Sequence, residues 1–211
     1  MVKYNLCIKF ERNVFMLRKR IFSVILLTLC AALFITGCGD KGEEKVSNKY
    51  VQIELENEGK IVIEVMPEYA PKTAEFFLNC VEDGYYDGLT FHRAVKDFMI
   101  QGGSPNGDGI GGCGKTVKGE FKSNGFDNKL SHTRGVVSFA RTQVRDSASG
   151  QFFIMHGDAE YLDGEYAAFG KVVEGMEYVD EIANMATSNQ MLINKPVMKT
   201  VKILKKYSPE A

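Results

Sequence analysis

From residue 50 to 56 apolar and polar side chains alternate: Val51, Ile53 and Leu55 against Gln52, Glu54 and Glu56. A period of two with one greasy side predicts a half-buried strand. Asn57-Glu58-Gly59-Lys60 reads as a turn, and Ile61, Ile63 and Val65 resume the alternation, so the two strands form a hairpin. The period then lengthens. Pro71 suits a first helical turn, Ala74, Phe77, Leu78 and Val81 share one helix face, and Gly84 suits the end. Strand-like stretches return at 89–93, 98–101, 136–140, 151–155 and 168–173. A second amphipathic helix carries Met176, Val179, Ile182, Ala183 and Ala186 on one side, and 197–205 alternates as a closing strand. Two helices among seven or eight short strands predict a β-barrel or β-sandwich capped by helices, and the pattern alone does not choose between them.

The chain ahead of residue 50 follows other rules. Leu17-Arg18-Lys19-Arg20 precedes an apolar run over 21–35, interrupted only by Ser23, Thr28 and Cys30. A membrane span needs about 20 residues, whereas this length fits the apolar region of a secretory signal. The run leaves through Ile35-Thr36-Gly37-Cys38, which resembles the bacterial lipobox, with Ile35 where Leu is commonest. The expectation is a lipoprotein signal over 1–37 that is removed, lipid on Cys38, and a polar tether through residue 49. Met16, directly before the basic cluster, reads as a better start than Met1.

Composition narrows the partners. Without residues 1–37 the chain has 20 Lys and Arg against 26 Asp and Glu, a net charge near −6. That balance argues against nucleic acid and against electrostatic adhesion to anionic lipid. Of five cysteines only Cys80 and Cys113 remain beyond the lipidation site; they could pair outside the cytoplasm, but two are too few for a disulfide framework, and Cys80 is read as free and buried.

The candidate chemistry starts at Phe91-His92-Arg93 and continues in Phe98-Met99-Ile100-Gln101-Gly102-Gly103. A guanidinium among Phe and Met is expensive to bury without a partner, and alone it would be read as an Arg whose stem lies on apolar surface. Gly107-x-Gly109-x-x-Gly112 is formally a dinucleotide fingerprint, but no helical pattern follows Gly112, so the stretch is read as a loop turning beside a groove. His92, His132 and His156 lack metal-ligand spacing, and neither Ser147 nor Ser149 sits in a nucleophile elbow. Asp158, Glu160 and Asp163 read as a solvated face, and Phe139, Phe152 and Phe169 as core.

Together FHR…FMIQGG, GGCG, SFAR, SGQFFI, LDGEYAAFGKV and EGM, in that order and spacing, resemble the cyclophilins over residues 50–207, leaving 208–211 as a tail. The resemblance implies a closed eight-stranded antiparallel β-barrel capped by two α-helices, and peptidyl-prolyl cis-trans isomerase activity without metal or cofactor. It implies Arg93 as the catalytic side chain and Gln101 as the partner that orients it. Phe98, Met99, Phe153 and Leu162 would wall the pocket for the substrate proline. The backbone at Ala140, with Arg141 and Gln151, would line the groove for preceding residues, with Gly109, Gly111 and Gly112 on its rim. Tyr161 stands where many eukaryotic members place a Trp that contacts cyclosporin, which implies weak sensitivity to that inhibitor. Tyr166 stands where a groove-lining His is common, and Arg141 follows Ala140 where Asn is familiar. The expected protein is a monomer, outside the cytoplasm and lipid-anchored to a bacterial cell membrane, acting on X-Pro segments of unfolded secreted proteins. The alternative is a binding module of the same shape with little turnover.

Overall fold

The computed structural model describes residues 48–208. The signal, the lipidation of Cys38 and most of the expected tether fall outside the described residues. Strands β1 (Lys49–Leu55) and β2 (Lys60–Val65) form the expected hairpin, with Val51, Ile53, Leu55, Ile61, Ile63 and Val65 buried. Helix α1 (Pro71–Glu82) follows, then β3 (Thr90–Val95), β4 (Met99–Ser104), β5 (Val136–Phe139), β6 (Phe152–Met155) and β7 (Ala168–Glu174). Helix α2 (Met176–Ala183), a small hairpin of β8 (Thr187–Ser188) and β9 (Met191–Leu192), and β10 (Met198–Leu204) complete the fold.

All ten strands join one antiparallel sheet in the order β10-β1-β2-β7-β5-β6-β4-β3-β9-β8. This corrects the expected closed barrel of eight strands: the hydrogen-bonded ladder is open. Where closure would occur, the start of β3 and the residues leading into β10 share the short bridge between Thr90 and Val197. The N–H groups of Phe91, Met198 and Gly88 donate there to the carbonyls of Pro196, Leu89 and Met198, and no further ladder forms. Pro196 has no N–H to extend a ladder, and the Val201 N–H is taken by the Asp87 carboxylate at 2.7 Å. The β8–β9 hairpin instead lies against β3, pairing Met191 with Arg93. It was unforeseen because two-residue strands carry no readable period. The second helix stops at Ala183, capped at Asn184, so Ala186 is exposed beyond it. In the β8–β9 turn Asn189 and Gln190 both have positive φ, 50° and 68°. For Gln190 the left-handed backbone costs on the order of 1 kcal/mol, because its Cβ crowds the carbonyl.

The alternation of side chains across the sheet produces two apolar clusters. On the inner face Phe77 of α1 stands among Tyr86, Phe139, Phe152 and Phe169, with ring centroids 4.8 to 6.3 Å away. Burying such a ring contributes about 1.5–3 kcal/mol. A second cluster holds Met99, Val136, Phe153, Met155, Leu162 and Ala168, with Phe98, Ala140 and Tyr166 packed against it. Helix α1 has no side-chain cap of its own at Ala70. Buried Glu120 reaches in from 47 residues away and accepts from the Thr73 N–H and hydroxyl, both at 2.8 Å, and from the Lys72 N–H at 3.2 Å. A carboxylate there also meets the positive end of the helix dipole. Cys80 and Cys113 are both free thiols with sulfurs 3.8 Å apart, and burial, then the neighbouring Cys113, pushes the Cys80 thiol up to about 12.

His92 is fully buried, and burial, then the charge of Lys195, lowers its pKa to about 4. The folded protein thus resists protonation that the unfolded chain accepts. Stability present above pH ~6.5 is expected to fall as pH drops toward 4, by roughly 3 kcal/mol from this residue; His132, also lowered by burial, adds in the same direction. Urea unfolding at pH 7 and pH 4.5 should show a smaller acid loss in His92→Gln than in the wild type, and equal losses would clear His92 of the effect. Replacing Glu120 with Ala strands the Thr73 and Lys72 donors and is expected to cost about 1.5–3 kcal/mol by the same titration, with Glu120→Gln costing less.

Candidate active site

Arg93 reaches the outer face of the sheet through a defect in register. Phe91 pairs with Gly102 and Arg93 with Gln101, so His92 is an extra residue opposite none. Such a bulge re-aims the side chain that follows it. Plain alternation would put Phe91 and Arg93 on one face. The bulge leaves Phe91 in the core and turns Arg93 outward, opposite Gln101. Gln101 in turn pairs with Phe153, and Phe153 with Ser138. Met191, Arg93, Gln101, Phe153 and Ser138 therefore form one row across five strands.

Side-chain amides bracket the guanidinium. Arg93 Nη1 donates to Gln101 Oε1 at 3.2 Å and lies 3.8 Å from Met99 Sδ. Gln101 Nε2 donates to Gln151 Oε1 at 2.9 Å. Gln151 Nε2 donates to the carbonyls of Gly109 and Gly111 at 3.0 and 2.8 Å, so the glycine-rich loop anchors the relay. The loop needs its glycines here: a Cβ on Gly112 would run into the Ser149 carbonyl oxygen. From the other side Gln190 Oε1 accepts from Arg93 Nη2 at 2.6 Å and from Nε at 3.0 Å. Burial lowers the Arg93 pKa, partly offset by Tyr166; an arginine starts so high that it stays a cation.

Beside the cation lies the apolar floor of the second cluster. Phe153 is buried, with Tyr166 edge-on at 5.7 Å and the His132 ring stacked at 6.0 Å. Phe98 stands in the turn just before β4 rather than within the strand, and stacks at 6.0 Å on exposed Tyr161. Leu162 is buried in the short 3-10 turn Glu160–Leu162. Asp163 holds that turn in place. Its carboxylate accepts from Ser131 Oγ at 2.5 Å and the His132 N–H at 2.8 Å, and faces His132 Nδ1 at 2.7 Å. The expectation of a merely solvated Asp163 is thereby corrected. Burial lowers the His132 pKa despite that carboxylate, so the neutral ring donates its Nδ1–H to Asp163.

A groove of about 290 Å³ continues from this floor, lined by Gln101, Gly109, Ala140, Arg141, Ser149 and Gln151 among others. The Ala140 N–H is committed to the Gln151 carbonyl at 2.9 Å. Arg141 borders the groove with its donors largely spent: Nε and Nη2 go to the Glu165 carbonyl at 3.0 and 2.9 Å, and Nη1 to that of Thr142 at 2.9 Å. Its guanidinium lies 4.7 Å from the Tyr166 ring centroid, so it braces Tyr166. All eleven candidates from Arg93 to Tyr166 thus gather on one face, and Cys38 lies outside the described residues. Gln190 escaped the sequence reading, since only Asn189 hinted at a turn and nothing tied that segment to Arg93.

A bound residue would meet an apolar recess with one fixed cation at its edge and a peptide-sized groove beside it. The comparisons agree with that shape. Residues 50–207 match the family model "Cyclophilin type peptidyl-prolyl cis-trans isomerase/CLD". Peptidyl-prolyl cis-trans isomerase B of Bacillus subtilis is 41% identical over 130 residues, which cover 62% of this chain and 87% of that protein. Peptidyl-prolyl cis-trans isomerase-like 2 of Gibberella zeae is 39% identical over 151 residues, covering 70% of this chain, which spans only 25% of that longer protein. The crystal structure of a Cryptosporidium parvum cyclophilin type peptidyl-prolyl cis-trans isomerase superposes with a TM-score of 0.69 at 28% identity, over 76% of this chain and all (100%) of that one. The same protein in the presence of the dipeptide Ala-Pro gives a TM-score of 0.67 at 29% identity, over 74% and 99% of the two chains. An open ten-stranded antiparallel sheet with two helices, the Arg93 site on its outer face and a family match over 50–207 lead to one conclusion: this chain belongs to the cyclophilin-type peptidyl-prolyl cis-trans isomerases, enzymes that rotate X-Pro peptide bonds.

Proposed function

We propose that the enzyme seats the proline ring on Phe98, Met99, Phe153 and Leu162 and turns the X-Pro bond beside Arg93, with Gln101 orienting the guanidinium. Amide resonance sets the uncatalysed barrier at ~18–20 kcal/mol. Twisting the bond breaks that resonance, localises a lone pair on the imide nitrogen and makes the amide less polar. An apolar floor disfavours the polar planar form relative to the twisted one. A guanidinium N–H donated to the nitrogen lone pair is worth roughly 2.7–4 kcal/mol by analogy with one oxyanion-hole donor, or about two to three powers of ten in rate. The groove holds the residues before the proline still while the proline side rotates. Electron pairs shift only within the amide, so the chemistry calls for no nucleophile. The observation that carries this reading is the Arg93–Gln101–Gln151 relay at the edge of the Phe153 floor.

The proposal extends to where the enzyme works: anchored through lipid on Cys38 outside the cytoplasm of a bacterium, assisting the folding of secreted and envelope proteins. It is supported by the basic cluster at 18–20, the apolar run at 21–35 and the small-residue exit into Cys38. Metabolic labelling with a fatty-acid analogue should mark the wild type and spare Cys38→Ser, and equal labelling would end this part.

Cis–trans exchange of a short X-Pro peptide, measured by NMR with the full chain, tests the mechanism. Arg93→Ala is expected to lose about two decades or more of kcat/KM with folding intact, and Gln101→Ala less. A variant as fast as the wild type would remove Arg93 from the chemistry, and binding without accelerated exchange would leave a peptide-binding module. Tyr161→Trp is expected to tighten cyclosporin binding, read by titration; a wild type already inhibited at nanomolar concentration would contradict the role given to Tyr161.

A further inference from the structure

The turn joining β8 to β9 spends conformational freedom on a side chain it does not need for turning. Asn189 and Gln190 have φ of 50° and 68°. A two-residue turn with both central residues left-handed is served best by glycine at its second position. This chain places a glutamine there, and its Oε1 accepts both Nη2 and Nε of Arg93 at 2.6 and 3.0 Å. The backbone fixes the amide in turn: the Gln190 carbonyl accepts the Ala94 N–H at 3.0 Å, and Met191 pairs with Arg93 itself.

The second bracket is Gln101, which takes Nη1 at 3.2 Å and is braced through Gln151 by the glycine-rich loop. A planar guanidinium bonded at Nε and Nη2 on one edge and at Nη1 on another cannot swing about its last torsion without breaking a bond. Of its five N–H groups, three are held by the two glutamines, and one on Nη1 faces only Met99 Sδ at 3.8 Å. The remaining Nη2 N–H meets no protein acceptor among the described residues.

We propose that Gln190 is a positioning residue, which holds the Arg93 guanidinium in one orientation so that its spare N–H groups serve the twisting bond. The inference rests on Arg93 being the catalytic side chain. Backbone strain kept at a site is a sign of function when the strained residue makes the contact that matters, and here the strained residue is itself the acceptor. The two effects have opposite signs: removing the side chain should relax the turn and slow the reaction.

The test compares wild type, Gln190→Gly, Gln190→Glu and Arg93→Ala as full chains, by X-Pro exchange and thermal unfolding. Gln190→Gly is expected to lose about tenfold in kcat, the loss of a held orientation, with KM within about twofold and Tm equal or higher. Gln190→Glu keeps an acceptor and is expected to stay within about threefold of wild type. Wild-type kcat in Gln190→Gly, or a loss that comes with a lowered Tm and is shared by Gln190→Glu, would overturn the proposal. If Arg93→Ala loses two decades while Gln190→Gly is unchanged, this inference alone fails. If Arg93→Ala is as fast as wild type, the reading beneath it fails as well.

Discussion

A cation on an apolar sheet face has to be supplied with acceptors, and much of the architecture around Arg93 answers to that constraint. Desolvating a guanidinium without partners would cost several kcal/mol. The partners are neutral amides, Gln101 and Gln190, so the charge is held without being cancelled. Each glutamine is supported by main chain, one through Gln151 onto loop carbonyls, the other by the β8–β9 turn. The local order of the site therefore comes from paired side chains whose outer members are tied to backbone set by the fold.

The sheet divides the labour between its two faces. Phe77 and the rings around it fill one side and anchor α1, whose N-terminus depends on the distant Glu120. The smaller cluster on the other side has apolar surface left over beside Arg93, which suits a proline ring. The bulge at His92 couples the two, because it lets Phe91 serve the core and Arg93 the site only two residues later. Burying His92 itself is the cost, seen in its lowered pKa.

The Asp163 and Arg141 clusters show how polar residues at the rim serve rigidity. Asp163 ties the Tyr161–Leu162 turn to His132, whose ring backs Phe153. Arg141 spends its donors on Glu165 and Thr142 and stacks on Tyr166. Asp163 reads along the chain as a solvated charge and Arg141 as a groove-lining residue, and both act by fixing aromatic walls.

Much was legible in the chain itself. The period-two runs at 50–56 and 61–65, the helix face of Ala74, Phe77 and Val81 and the ordered motifs around Arg93 depend on neighbours in sequence, where local sterics and burial leave their mark. They were enough to identify the family and to name residues that the fold gathers on one face. The open ladder, the bulge at His92, the α1 cap from Glu120 and the Gln190 contact with Arg93 were decided only in three dimensions. Each joins segments far apart or turns on a one-residue change of register, and neither leaves a period to read. A strand edge stays open because Pro196 and Asp87 occupy what closure would need, and the acceptor beside Arg93 comes from a turn whose local preference is glycine.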